Sequence, residues 1–152
     1  MADNFNFPCL LQAATVSIFE GKICLITSRK GKRWVIPKGS ISKGKTAPET
    51  ALIEAWEEAG LTGKLEQNPL GTYTYAKSGF SYLVTVFLMQ VTSILEVFPE
   101  HRLRLRKWVT ISEAFSLIQE KDLQGLLQSL PLDLTPPDLL ICKPEIEPSA
   151  VI

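Results

Sequence analysis

The segment TAPETALIEAWEEAG, from Thr46 to Gly60, constrains the fold more than any other stretch. Thr46 with Glu49 three residues later is a capping box, and Gly60 supplies a left-handed stop, so the spacing predicts one helix between them. On both sides the pattern changes to that of strands. Ala13 to Phe19 and Lys22 to Thr27 are rich in branched and aromatic residues and read as a hairpin about Gly21; Trp34 to Ile36 is a short apolar stretch ended by Pro37. Lys38 to Lys45 reads as a glycine-bearing loop. Gly71 to Lys77 and Phe80 to Thr92 read as strands joined around Ser78 and Gly79, with a further short strand at Lys107 to Thr110. Ile111 to Glu120 and Asp122 to Leu130 read as helices. Strands before and after one central helix, with helices again at the end, imply an α/β domain whose mixed sheet is covered by helices.

A chain of 152 residues that is 45% apolar can bury one sizeable core, which implies a single domain. That domain is expected at residues 8–130. Beyond it, LPLDLTPPDLLICKPEIEPSAVI carries repeated prolines that forbid a continuous helix or central strand, so residues 131–152 read as a proline-rich tail. The tail reads as a disordered end, or, since Leu139, Leu140 and Ile141 are too apolar for an ideal linker, as a segment that wraps the domain or a neighbouring subunit, which leaves a homodimer open. Sixteen basic and sixteen acidic side chains balance, so no whole-molecule field argues for nucleic acid or an anionic membrane. The longest apolar run, Leu83 to Val91, is too short to span a bilayer. Cys9, Cys24 and Cys142 lack zinc or redox spacing, and the start MADNFNFPCL has no basic stretch followed by an apolar run; a reducing, cytoplasmic setting is expected.

At about 100° per residue, Glu57 lies roughly 60° to one side of Glu54 and Glu58 roughly 40° to the other. All three acids share one face. Leu52, Ala55, Trp56 and Ala59 form the opposite stripe, which is the expected buried side. Alone, such spacing is most often a solvated surface. Yet the helix has no lysine or arginine between Ala47 and Ala59, so the acids repel unless something else compensates. Magnesium takes hard oxygen ligands, keeps several waters and bridges to phosphates, which suits an open carboxylate face. Basic runs at Arg29, Lys30, Lys32 and Arg33 and at Arg102, Arg104 and Arg106 would supply positive charge for a polyanionic ligand.

The span Gly39 to Leu61 resembles the Nudix box, which runs glycine, five residues, glutamate, seven residues, then arginine, glutamate, apolar, any, glutamate, glutamate, any, glycine, apolar. The match falls at Gly39, Glu54, Ala55, Glu57, Glu58, Gly60 and Leu61. It departs at Lys45, where the box has glutamate, and at Ile53, where it has arginine. ITSRKGKRWVIPKG and FPEHRLRLRKWVTISEAF extend the likeness over about residues 10 to 120 and resemble the bacterial subgroup akin to diphosphoinositol polyphosphate phosphohydrolases.

The resemblance implies a Nudix α/β/α sandwich with a central mixed sheet, and metal-assisted attack of water on a phosphoanhydride. It implies catalytic roles for Glu54, Glu57 and Glu58, the same three as metal ligands with Glu100 as a fourth from outside the box, and magnesium as cofactor with manganese the alternative. Arg29, Lys30, Arg33, Lys38, Gly39 and Arg102 are the expected substrate contacts, for a small-molecule polyphosphate such as a diphosphoinositol polyphosphate or a dinucleoside polyphosphate. Gly39 would either let backbone approach the helix or simply make a turn. The departures leave three outcomes: Lys45 reaches the carboxylates in place of the missing arginine, the metal is held weakly, or the domain is degenerate and binds a phosphorylated ligand without cleaving it. Glu49 is excluded as a replacement acid, being about 140° from Glu54 and already used in the cap. His101 reads as a surface or substrate-contact residue, and Trp34 and Tyr82 as core.

Overall fold

The computed structural model describes residues 8–130; the expected tail lies outside the described residues. In chain order the elements are β1 (Cys9–Phe19), β2 (Lys22–Thr27), β3 (Trp34–Val35), β4 (Lys38–Ser40), α1 (Ala47–Ala59), β5 (Leu61–Leu65), β6 (Gly71–Lys77), β7 (Phe80–Ile94), β8 (Arg106–Val109), α2 (Ile111–Leu117) and α3 (Lys121–Gln128).

β1 and β7 run side by side in parallel from Cys9↔Ser81 to Ile18↔Gln90 and form the spine of the sheet. Every other pairing is antiparallel, which makes the sheet mixed. Both spine strands change partner along their length. β1 pairs β4 near its start and β2 at its end, while β7 pairs β6 first and β5 later. Alternation along β1 then sorts its side chains between two layers. Ala14, Val16 and Ile18 join Ala114 of α2, Ile118 just after it, and Leu123 and Leu127 of α3 in one core, whereas Ala13 packs with Ala51 of α1 on the other face. The result is the expected α/β/α sandwich.

The hairpin, the capped helix and the two late helices stand where the sequence puts them. Thr46 accepts from the Glu49 amide at 3.2 Å, and the Glu49 carboxylate accepts from the Thr46 amide at 2.9 Å, completing the box. Gly60 ends α1 at φ 69°, with Phe98 packed where its side chain would be.

Three local expectations need correction. Lys38 to Ser40 is a strand, not loop, because the splay between β1 and β2 leaves the edge of Gln12 to Ala14 free to pair with it. β5 was not expected; Gly63 weakens its strand pattern and marks the irregular register at Thr62/Gly63. The buried stripe of α1 is Thr50, Ala51, Ala55, Glu58 and Ala59, while Leu52 and Trp56 are 38% and 42% exposed. Small residues at four-residue spacing let the helix lie close to the sheet, and this rotation turns Glu58 inward.

Candidate active site

Close packing of α1 on β4 places Glu54 and Glu58 against backbone. A Cβ on Gly39 would overlap the Glu54 carboxyl, so this glycine is the point of close approach and not a turn. Glu58 is buried, and its Oε1 accepts from the Lys38 amide at 3.1 Å. Glu57 stands half-buried on the same helix. Its carbonyl accepts from the Glu100 amide at 3.0 Å, which ties the loop after β7 to the acidic end of α1. The fold therefore gathers all four expected acids, one of them from 42 residues downstream in sequence of the nearest other.

Arg104 lies among them with only 7% of its side chain exposed. Its Nη2 is 3.3 Å from Glu58 Oε2, its Nε donates to Glu100 Oε1 at 2.8 Å, and its Nη1 donates to the Thr27 carbonyl at 2.9 Å. Lys45, by contrast, forms no ion pair with any of the four acids; its place before the helix points it to solvent, where it is exposed.

One buried arginine, with Arg29 reaching Glu100 from the surface, leaves four carboxylates with excess negative charge. Burial, and then the Glu58 carboxylate beside it, push the Glu54 pKa up to about 8, and burial also raises that of Glu58 despite Arg104. Both shifts favour the protonated carboxyl, and the neighbouring carboxylates add to the effect of burial at Glu54. Because the folded-state value lies above the ordinary 4.5, native Glu54 keeps a proton that the unfolded chain has lost. The stabilisation is complete below about pH 4.5 and disappears as pH rises through about 8. Thermal unfolding without metal should therefore show stability falling over this range, and Glu54→Gln should flatten the slope. Equal slopes in the two proteins would show that Glu54 is not the group responsible.

A cleft of about 330 Å³ opens beside Glu58 and Arg104. Of the expected substrate contacts it is lined by Arg29, Arg33 and Lys38, together with Gln12, Lys77, Tyr75 and Tyr82. Lys38 Nζ sits 5.3 Å from the centre of the Tyr75 ring, and burial lowers its pKa. Arg33 is steadied by Glu120 at 3.1 Å. Arg29 reaches Glu100 at 3.8 Å from an exposed position. Lys30 and Arg102 are exposed and lie outside the cleft lining. Arg106 is used structurally: its Nη1 donates to the carbonyls of Ala59 and Leu95, capping the end of α1. Tyr82 corrects its core assignment, since it stacks on Tyr75 at 4.7 Å and 10° in the cleft wall. Trp34 packs at the edge of the core as expected, and His101 Nδ1 is held against the Phe98 carbonyl at 2.8 Å. Sequence reading missed Gln12, Tyr75 and Lys77, whose only signal is strand register: Gln12 falls on the face of Ala14 in β1, and Tyr75 and Lys77 on the face of Tyr73 in β6.

The donors suit magnesium or manganese. All are carboxylate oxygens whose repulsion Arg104 and Arg29 offset only in part, and among the described residues no three are arranged to hold a cation by themselves. An ion that keeps waters and completes its shell with substrate phosphate matches such an open set.

Comparison with known proteins supplies the family. A model of the NUDIX domain matches residues 10–130. The chain belongs to the Nudix family. It is 35% identical over 113 residues to Nudix hydrolase 21, chloroplastic, of Arabidopsis thaliana, covering 72% of this chain and 57% of that protein. It is 30% identical over 103 residues to mouse (Mus musculus) diphosphoinositol polyphosphate phosphohydrolase 3-alpha, covering 66% and 62%. The Nudix fold is matched by the C. elegans Ap4A hydrolase binary complex at a TM-score of 0.68 and 22% identity, over 78% of this chain and 93% of that one. The chain spans about half the length of the curated relatives it matches. The plant and mouse relatives do not single out a bacterial subgroup, and the plant protein is named for the chloroplast. No helix among the described residues is long and apolar enough to cross a membrane.

Proposed function

We propose that this chain is a metal-dependent pyrophosphohydrolase that cuts a phosphoanhydride in a highly anionic small molecule, a diphosphoinositol polyphosphate or a dinucleoside polyphosphate. The observation that carries this reading is the continuity of the basic cleft with the carboxylate cluster through Glu58 and Arg104. Both substrate classes present several phosphates, which Arg33, Lys38 and Lys77 would grip while Arg29 closes from the rim. The mouse relative's name and the fold neighbour's title each name one of these classes.

Glu54, Glu57, Glu58 and Glu100 would hold magnesium or manganese, which when bound polarises phosphoryl oxygens and acidifies water. Glu54, once deprotonated, would take the proton of the attacking water. Water adds to phosphorus, the bridging P–O bond breaks, and two phosphate products leave. The Tyr75 and Tyr82 stack walls the cleft. The reading needs neither nucleic acid nor a membrane, and places the protein in the cytoplasm. Pairing of two chains is part of it only as far as light scattering finds a dimer.

The test is mass-spectrometric product detection with magnesium, a chelated control, and a panel of diphosphoinositol polyphosphates, dinucleoside polyphosphates and nucleotide sugars. Chelator-sensitive cleavage of one of the first two classes is expected. Saturable binding with no product from any compound would install the alternative, a degenerate domain that holds a phosphorylated ligand.

A further inference from the structure

We infer that Arg104 is the positioning residue of the carboxylate cluster, replacing from the loop before β8 the cation that α1 lacks. The inference rests on the hydrolase reading for its metal, and on geometry for its residue. Ile53 leaves the helix without any basic side chain, and Lys45 does not approach the acids. Arg104 does, from outside the segment that resembles the Nudix box.

Its guanidinium uses three separate nitrogens on three separate elements. Nη2 faces Glu58 of α1, Nε faces Glu100 of the loop after β7, and Nη1 faces the Thr27 carbonyl at the end of β2. The planar fork therefore fixes the distance between two carboxylates as well as neutralising charge, which a lysine ammonium cannot reproduce. The backbone beside it is pinned as well: the Leu105 amide donates to Thr27 Oγ1 at 3.0 Å, and the Thr27 amide donates to the Leu105 carbonyl at 3.1 Å. With Glu58 Oε1 taken by the Lys38 amide, Glu58 is held at both oxygens. Each still has lone-pair capacity for a cation. Glu57 carries no such restraint.

Positioning and simple neutralisation predict opposite results. A cation that only offset charge would, when removed, let a divalent metal bind more tightly. A positioning group, when removed, loosens the metal's ligands. Calorimetric titration of the substrate-free protein with Mn²⁺ distinguishes them, using Arg104→Met and, because a buried pair is broken there, Arg104→Lys, which keeps the charge and loses the fork. Mn²⁺ affinity is expected to fall about 10- to 100-fold in each folded variant, as for other groups that orient metal ligands. In turnover of whichever substrate the panel identifies, kcat should fall with KM moving less than about threefold. Adding Ile53→Arg to Arg104→Lys should recover part of the Mn²⁺ affinity. Unchanged or tighter Mn²⁺ binding in folded Arg104→Lys overturns the inference even if hydrolysis is intact. A protein that neither binds Mn²⁺ nor turns over in its native form overturns the hydrolase reading instead.

Discussion

Glu57→Gln is expected to lower turnover roughly 100-fold or more, a loss of about 3 kcal/mol or more in transition-state stabilisation, while leaving the fold intact. The expectation follows from how differently the acids are engaged. Glu58 holds the Lys38 amide and Arg104, and Glu100 also holds Arg104, so neutralising either disturbs three elements at once. The Glu57 carboxylate forms no ion pair or hydrogen bond with a described residue. It is therefore more available to a cation than Glu58 or Glu100, and less needed by the apoprotein. Substituting the neutral amide also removes one negative charge from an acidic cluster, so unfolding without metal should occur at the same temperature or slightly higher. Circular dichroism melts beside steady-state rates with magnesium measure both. A wild-type rate in the variant would remove Glu57 from the metal site; a large fall in the melting temperature would recast it as structural.

The contrast between Glu57 and Glu58 also shows what the sequence could convey. Capping by Thr46 and Glu49, the stop at Gly60 and the hairpin around Gly21 depend on residues a few positions apart, and these were legible. The shared face of the three acids was legible for the same reason. Which side of α1 is buried was not, because apolar size suggested Leu52 and Trp56, whereas close approach to the sheet selected alanines. Arg104 was visible only as one of three alternating arginines. Its separation from Arg102, which is exposed, and Arg106, which caps α1, depends on the register of β8 against β2 and on the reach of Glu100 across from β7. Such distinctions come from pairings many residues apart. The same long-range packing resolves Gly39, whose two sequence readings were equally open until β4 and α1 met.

That meeting point gives the last expected result. Gly39→Ala should reduce metal-dependent turnover about 10- to 100-fold, because displacing a group at the reaction centre by about an ångström costs on this order. Gly39 is not at positive φ, so its backbone accepts alanine without strain. The three atoms nearest the new methyl group are all at the end of the Glu54 side chain, which can swing aside by rotating its own torsions. Strand residues also lose less backbone freedom on folding when glycine becomes alanine, a gain of about 0.5–1 kcal/mol that offsets the push on Glu54. Stability and activity should separate: urea unfolding within about 1 kcal/mol of the parent, with kcat and Mn²⁺ affinity both lowered. Full turnover in Gly39→Ala would mean that Glu54 works equally well from a displaced position, and its place as proton acceptor would pass to another acid of the cluster. A loss of turnover with unchanged Mn²⁺ affinity would assign Glu54 to the water and leave the cation to Glu57, Glu58 and Glu100.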